Sequence, residues 1–173
     1  MSKPQSINNK ADFLANAELM VQESLEKYGQ LADSMEIHNN LETANQFREL
    51  ESMEMQQLQW IEQQASGMVL PEIAPWDFAW HCYDDPEKDC LNDMDYLASP
   101  GRALSAALYN EYHSEMFYRE TAEQTSDPAV KKLANELARE QLAQIELLKQ
   151  RLYALPKEAY ESIEDMDPPN MPE

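Results

Sequence analysis

Glycine is scarce in this chain of 173 residues, with three in all against ten methionines. β-Hairpins lose their usual corner residue when glycine is absent, while the abundant Ala, Leu, Glu and Gln favour helix. The expected class is all-α. Cysteine is sparse too: Cys82 and Cys90 are the two present, and they read as free thiols in a reducing cytosol. Basic residues number 13 against 33 acidic ones, a formal net charge of -20. Such a surface repels nucleic-acid phosphates and anionic lipid headgroups, so neither nucleic acid nor a membrane is an expected partner. The acidity serves solubility, or attracts cations or a basic protein partner. No apolar run approaches the roughly 20 residues that a membrane helix needs, and the opening MSKPQSINNKADF lacks the apolar stretch of a signal peptide. A cytoplasmic protein is expected, and the length suits one domain.

Four amphipathic helices are legible. The first runs from near Asn9 to about Met35, with Leu14, Ala17, Val21, Leu25, Tyr28, Ala32 and Met35 recurring every three or four residues. A five-residue turn follows, in which Asn39 and Asn40 supply the turn and a cap, and the stripe resumes through Ala44, Phe47, Leu50, Glu54, Gln57, Leu58 and Ile61, with Gly67 ending helix two. Ser99-Pro100 and Asp127-Pro128 each place a capping residue before a proline at the first helical position. Helix three then shows Leu104, Leu108, Glu111, Tyr118 and Ala122 on one face. Helix four carries Val130, Leu133, Leu137, Gln141, Gln144, Ile145, Leu148 and Leu152, and Pro156 stops it. Residues 157–173, acidic and proline-containing, read as a tail outside a domain of residues 1–156.

The halves resemble each other. Tyr28 and Ala32 recur as Tyr118 and Ala122 at an offset of 90, and Leu50 and Ile61 recur as Leu137 and Leu148 at 87. The chain reads as a duplicated helical hairpin. Between the hairpins, residues 68–99 show no helical period, and a connection this long makes sense as a strap that lets helix three run parallel to helix two. Trp76 and Trp80 are the expected anchors of that strap.

Polar residues interrupt the stripes where leucine or alanine would be ordinary. Glu54 and Gln57 are three apart on helix two, and Gln141 and Gln144 superpose on them at the offset of 87. Glu111 lies seven residues before Tyr118, as Val21 lies seven before Tyr28. The six positions are mates across the repeat.

This layout, with MEIHNN at 35–40 and LPEIAPWDFAW at 70–80, resembles the ferritin-like di-iron carboxylate proteins, the rubrerythrin group in particular. The resemblance implies a ferritin-like four-helix bundle of two hairpins joined by a long crossover. In that group one Glu from each of two helices joins an ExxH pair from each of the other two. Carried over, the ligand positions are Val21, Glu54, Gln57, Glu111, Gln141 and Gln144, so Glu54 and Glu111 alone keep the family's residue type. Four carboxylates neutralise two ferrous ions; two do not. Glutamine is a weaker donor to iron than imidazole or carboxylate, and valine donates nothing.

The expectation is therefore a hydrogen-bonded polar core in which Gln57, Gln141 and Gln144 serve Glu54 and Glu111, and in which the two carboxyls share a proton. No cofactor is expected. The other possibility is one divalent ion, Mn, Mg or Fe, held by Glu54 and Glu111. The functional expectation is a non-redox binding or scaffold protein, a homodimer, with a metal-dependent oxidoreductase of peroxidase or ferroxidase type as the alternative. His38 reads as a capping or surface residue, and His113 projects from a different face than Glu111. A zinc site at His81, Cys82 and Cys90 lacks a usual spacing. Met20, Met53, Met55 and Met116 read as core filler or dimer surface.

Overall fold

The computed structural model describes residues 7–74, 77, 91 and 94–156. The expectations for Trp76, Trp80, His81, Cys82, Cys90 and residues 157–173 lie outside the described residues. Among those described, four long helices account for nearly all regular structure: α1 Lys10–Ile37, α2 Leu41–Gln64, α3 Pro100–Gln124 and α4 Pro128–Ala154.

Three of the four starts are capped as their sequences dictate. Asn9 accepts from the backbone N–H of Asp12, Ser99 from that of Arg102, and Asp127 from those of Ala129 and Val130. Each satisfies donors that the first helical turn would otherwise leave orphaned. Asn40 behaves differently. It begins α2 without a side-chain cap, and its amide instead donates to the carbonyls of Ala98 at 2.8 Å and Tyr96 at 3.2 Å. The turn before it is three residues long, His38 to Asn40, shorter than the expected five, because Asn39 takes a left-handed conformation at φ 58 and reverses the chain at once. Helix two ends at Gln64, and Gly67 follows at φ 78.

The bundle is two tightly packed hairpins, α1 with α2 and α3 with α4, in looser contact between α2 and α3. Side-chain pairs give the directions. Thr43 Oγ1, at the start of α2, donates to the Ala98 carbonyl just before α3 at 2.8 Å, and Glu54 meets Glu111 midway along both helices. Helices α2 and α3 therefore run parallel. Phe13 packs on Phe117 at one end of α1 while Tyr28 reaches Glu111 further along it, so α1 and α3 are antiparallel. Because α2 and α3 point the same way, the chain between them has to return along a helix about 36 Å long.

The interior is apolar at both ends and polar in the middle. One cluster gathers Tyr28, Met35, Phe47, Leu50, Leu104, Ile145 and Leu148; the other gathers Phe13, Leu14, Val21, Ile61, Tyr118, Leu133 and Leu137. Burying each large side chain stabilises the fold by about 1.5–3 kcal/mol. Between the clusters lie Glu54, Gln57, Glu111 and Gln141, all buried.

Candidate functional site: the polar layer

Glu111 is 1% exposed and Gln141 fully buried. The Glu111 carboxylate collects donors from the other helices. Tyr28 on α1 donates its hydroxyl to Oε1 at 2.6 Å, and Gln141 on α4 donates Nε2 to Oε2. Gln57 on α2 in turn donates Nε2 to Oε1 of Gln141 at 3.1 Å, so each amide is oriented by the group it serves. Asn110 steadies the far side, donating to the Tyr28 hydroxyl at 3.1 Å and to Ser24 Oγ at 3.0 Å.

Glu54 and Glu111 are hydrogen-bonded to each other. Two buried carboxyls in contact resist ionising together. Burial raises the pKa of both groups, and the charge of Glu111 pushes Glu54 further up. Glu111 is held lower because Tyr28, Glu54, Gln141 and Asn110 all stabilise its ionised form. Both shifts favour a proton held by the pair. Burial likewise raises Tyr28 and Tyr118 well above an ordinary phenol.

The repeat predicts a mirror image of this arrangement, and the structure lacks it. Tyr118 is the mate of Tyr28, and Val21 is the mate of Glu111. Tyr118 is fully buried and its hydroxyl has no partner among the described residues; Val21, 2% exposed and in the same apolar cluster, has no atom to accept from it. Gln144 departs from expectation in a second way. It is half-buried rather than interior, with a buried Oε1 that has no partner, whereas its mate Gln57 bonds Gln141. The layer thus brings together Glu54, Gln57, Glu111 and Gln141, with Val21 and Gln144 beside it and not part of its hydrogen bonding.

Ser24, Asn110 and the Tyr28 hydroxyl belong to the site beyond the six positions that the repeat marks. A signal existed: Ser24 stands one turn before Tyr28, and Asn110 is adjacent to Glu111. His38 is exposed, with Nδ1 2.8 Å from the Ser34 carbonyl and its ring stacked on Tyr96. His113 is half-buried and meets Tyr109 edge-on. Among the described residues, no group of three or more His, Cys, Asp and Glu side chains is arranged to hold a metal ion, and no helix is long and apolar enough to cross a membrane.

No family model matches the chain, and no curated protein matches it either. Among solved structures, an uncharacterized conserved protein from Magnetospirillum magnetotacticum MS-1 is 33% identical to it. The two superpose with a TM-score of 0.67 over 84% of this chain and 95% of that one.

Proposed function

This chain belongs to the family of the uncharacterized conserved protein from Magnetospirillum magnetotacticum MS-1, and we propose that it is a ferritin-like, rubrerythrin-like bundle that has given up two-metal chemistry and works as a non-redox binding or scaffold protein. The observation that carries this reading is the Tyr118 hydroxyl, buried without a partner in the same apolar cluster as Val21. An unsatisfied buried hydroxyl costs about 1–3 kcal/mol. A core built for packing alone would place phenylalanine there. A tyrosine whose mate donates to a carboxylate is what remains when a carboxylate has been lost at position 21.

The surviving groups do not suit two metal ions. The layer has two carboxyls, at most two negative charges, where two divalent ions bring four positive ones. Both oxygens of Glu111 already accept from O–H or N–H donors, and Gln57 turns its donor end, not its oxygen, toward Gln141. Hydrogen bonds perform the orienting that ligation would otherwise require.

One observation favours a second reading. The buried, unpartnered Oε1 of Gln144 is a neutral amide oxygen of the kind that, with the carboxyls of Glu54 and Glu111, would suit a single hard divalent ion such as manganese or magnesium. Metal analysis of protein purified from cells grown with iron and manganese separates the readings. We expect less than one metal ion per chain. Two irons per chain would overturn the non-redox reading, and one tightly held manganese would favour the second.

A further inference from the structure

The two hairpins bury matching stripes and present different outer faces. Helices α1 and α2 together carry eleven acidic and three basic side chains, whereas α3 and α4 carry seven of each. At the hairpin offsets, Tyr112, His113 and Met116 on α3 stand where α1 has Gln22, Glu23 and Glu26. Lys149 and Tyr153 on α4 stand where α2 has Glu62 and the chain just after it has Ser66. The duplication acts as an internal control: a helix in this position needs no aromatic side chains to fold, since hairpin one does without them.

Exposure by itself does not separate the hairpins, since Met55, the mate of Leu142, is 43% exposed; aromatic content and charge do. Tyr112 is 41% exposed, Leu142 50% and Tyr153 79%. Leu142, Glu146, Lys149 and Tyr153 recur at intervals of three and four, which sets them in one stripe along α4. Lys149 Nζ lies 5.3 Å from the centre of the Tyr112 ring, joining that stripe to α3. The result is one face in which Tyr112, Leu142 and Tyr153 surround the opposite charges of Glu146 and Lys149.

We propose that this α3–α4 face is the contact surface of a homodimer, covered by the same face of a second copy of the chain about a two-fold axis. Charge selects the occupant. Two copies of a chain with net charge -20 repel each other, so self-association uses the hairpin that carries no net charge. A basic partner would be drawn to hairpin one instead. Within the face, Glu146 and Lys149 are opposite charges one turn apart on the same stripe. A two-fold axis passing between them sets each Lys149 against Glu146 of the other copy, the self-complementarity that an isologous interface demands. The inference is independent of how the polar layer is used, because metal content and association state are measured separately.

Analytical ultracentrifugation of the full chain across micromolar concentrations tests it. The wild type sediments as a dimer. Tyr112→Glu combined with Leu142→Glu raises the dissociation constant by at least about 100-fold, the scale of losing central apolar contacts, with helical content by circular dichroism unchanged. Gln22→Glu with Met55→Glu, the mate positions on hairpin one, leaves the dimer intact. Lys149→Glu alone weakens association by about tenfold through like-charge contact with Glu146, and adding Glu146→Lys restores it. A monomeric wild type, dissociation by the hairpin-one pair, a dimer indifferent to the Tyr112 and Leu142 changes, or no recovery in the double reversal would each overturn the proposal.

Discussion

The Tyr28 hydroxyl donates to Glu111 Oε1 across 2.6 Å, while the same hydroxyl one repeat later, on Tyr118, lies buried with nothing to donate to. A phenol bonded to an ionised carboxylate contributes more than a neutral pair, and a buried unpaired one costs free energy. Tyr28→Phe should therefore destabilise the bundle by about 1.5–3 kcal/mol. Tyr118→Phe should be neutral or stabilising. Urea denaturation of both variants checks the order, and a larger loss at Tyr118 would contradict the asymmetry of the layer.

The shared proton makes stability depend on pH. Burial and the Glu111 charge raise the Glu54 pKa well above its ordinary value near 4.5. The folded protein keeps that proton where the unfolded chain releases it, so the contribution is fully present below about pH 4.5 and is lost as pH rises through the folded value. Stability should fall as pH rises above about 4.5. Surface acids push the same way, so the diagnostic measurement is the difference between wild type and Glu54→Gln. The glutamine variant, with no proton to lose there, should show a flatter denaturation midpoint across that range.

Gly29 lies in the interior of α1, where glycine is about 1 kcal/mol worse than alanine. A Cβ added there would come within 2.9 Å of Glu51 Oε1, the end of a flexible side chain that can swing aside while Oε2 keeps its bond from Arg48. Gly29→Ala should stabilise the protein by about 0.5–1 kcal/mol. A calorimetric melting temperature below wild type would mean that Glu51 cannot give way.

Much of this was readable from residue order. Apolar periodicity and the Ser99-Pro100 and Asp127-Pro128 signals gave helices within two or three residues of those observed, since local propensity, capping and burial agree there. The interior positions of Glu54, Gln57, Glu111 and Gln141 followed from their place on the stripes. Gln144 did not follow, because the i+3 step from Gln141 rotates it toward the stripe's margin, and only packing decides whether such a position is covered. Asn40 read as a cap and serves instead as a clamp on residues 96–98, a partner distant in sequence. How the two carboxyls are shifted was likewise beyond periodicity, since it depends on burial and on the donors that converge on Glu111.

If the bundle keeps the geometry of a lost site, restoring the missing side chains should restore metal uptake. Val21→Glu would give Tyr118 an acceptor and place a carboxylate opposite Glu111. Gln141→Glu, Gln57→His and Gln144→His would complete the pattern that the resemblance implies. Helical spacing of three puts each restored pair on one side of its helix, although Gln144 starts half-buried and its histidine has to turn inward. Without metal the quadruple variant should be less stable than the parent, because four buried carboxyls repel one another and bury more charge. Ferrous iron added anaerobically should then raise its melting temperature, by mass action on the folded state alone. The parent, offering two carboxyls and one shared proton, should show no comparable rise. Equal stabilisation of parent and variant by iron would mean that the present layer is already a metal centre, and the oxidoreductase reading would take precedence.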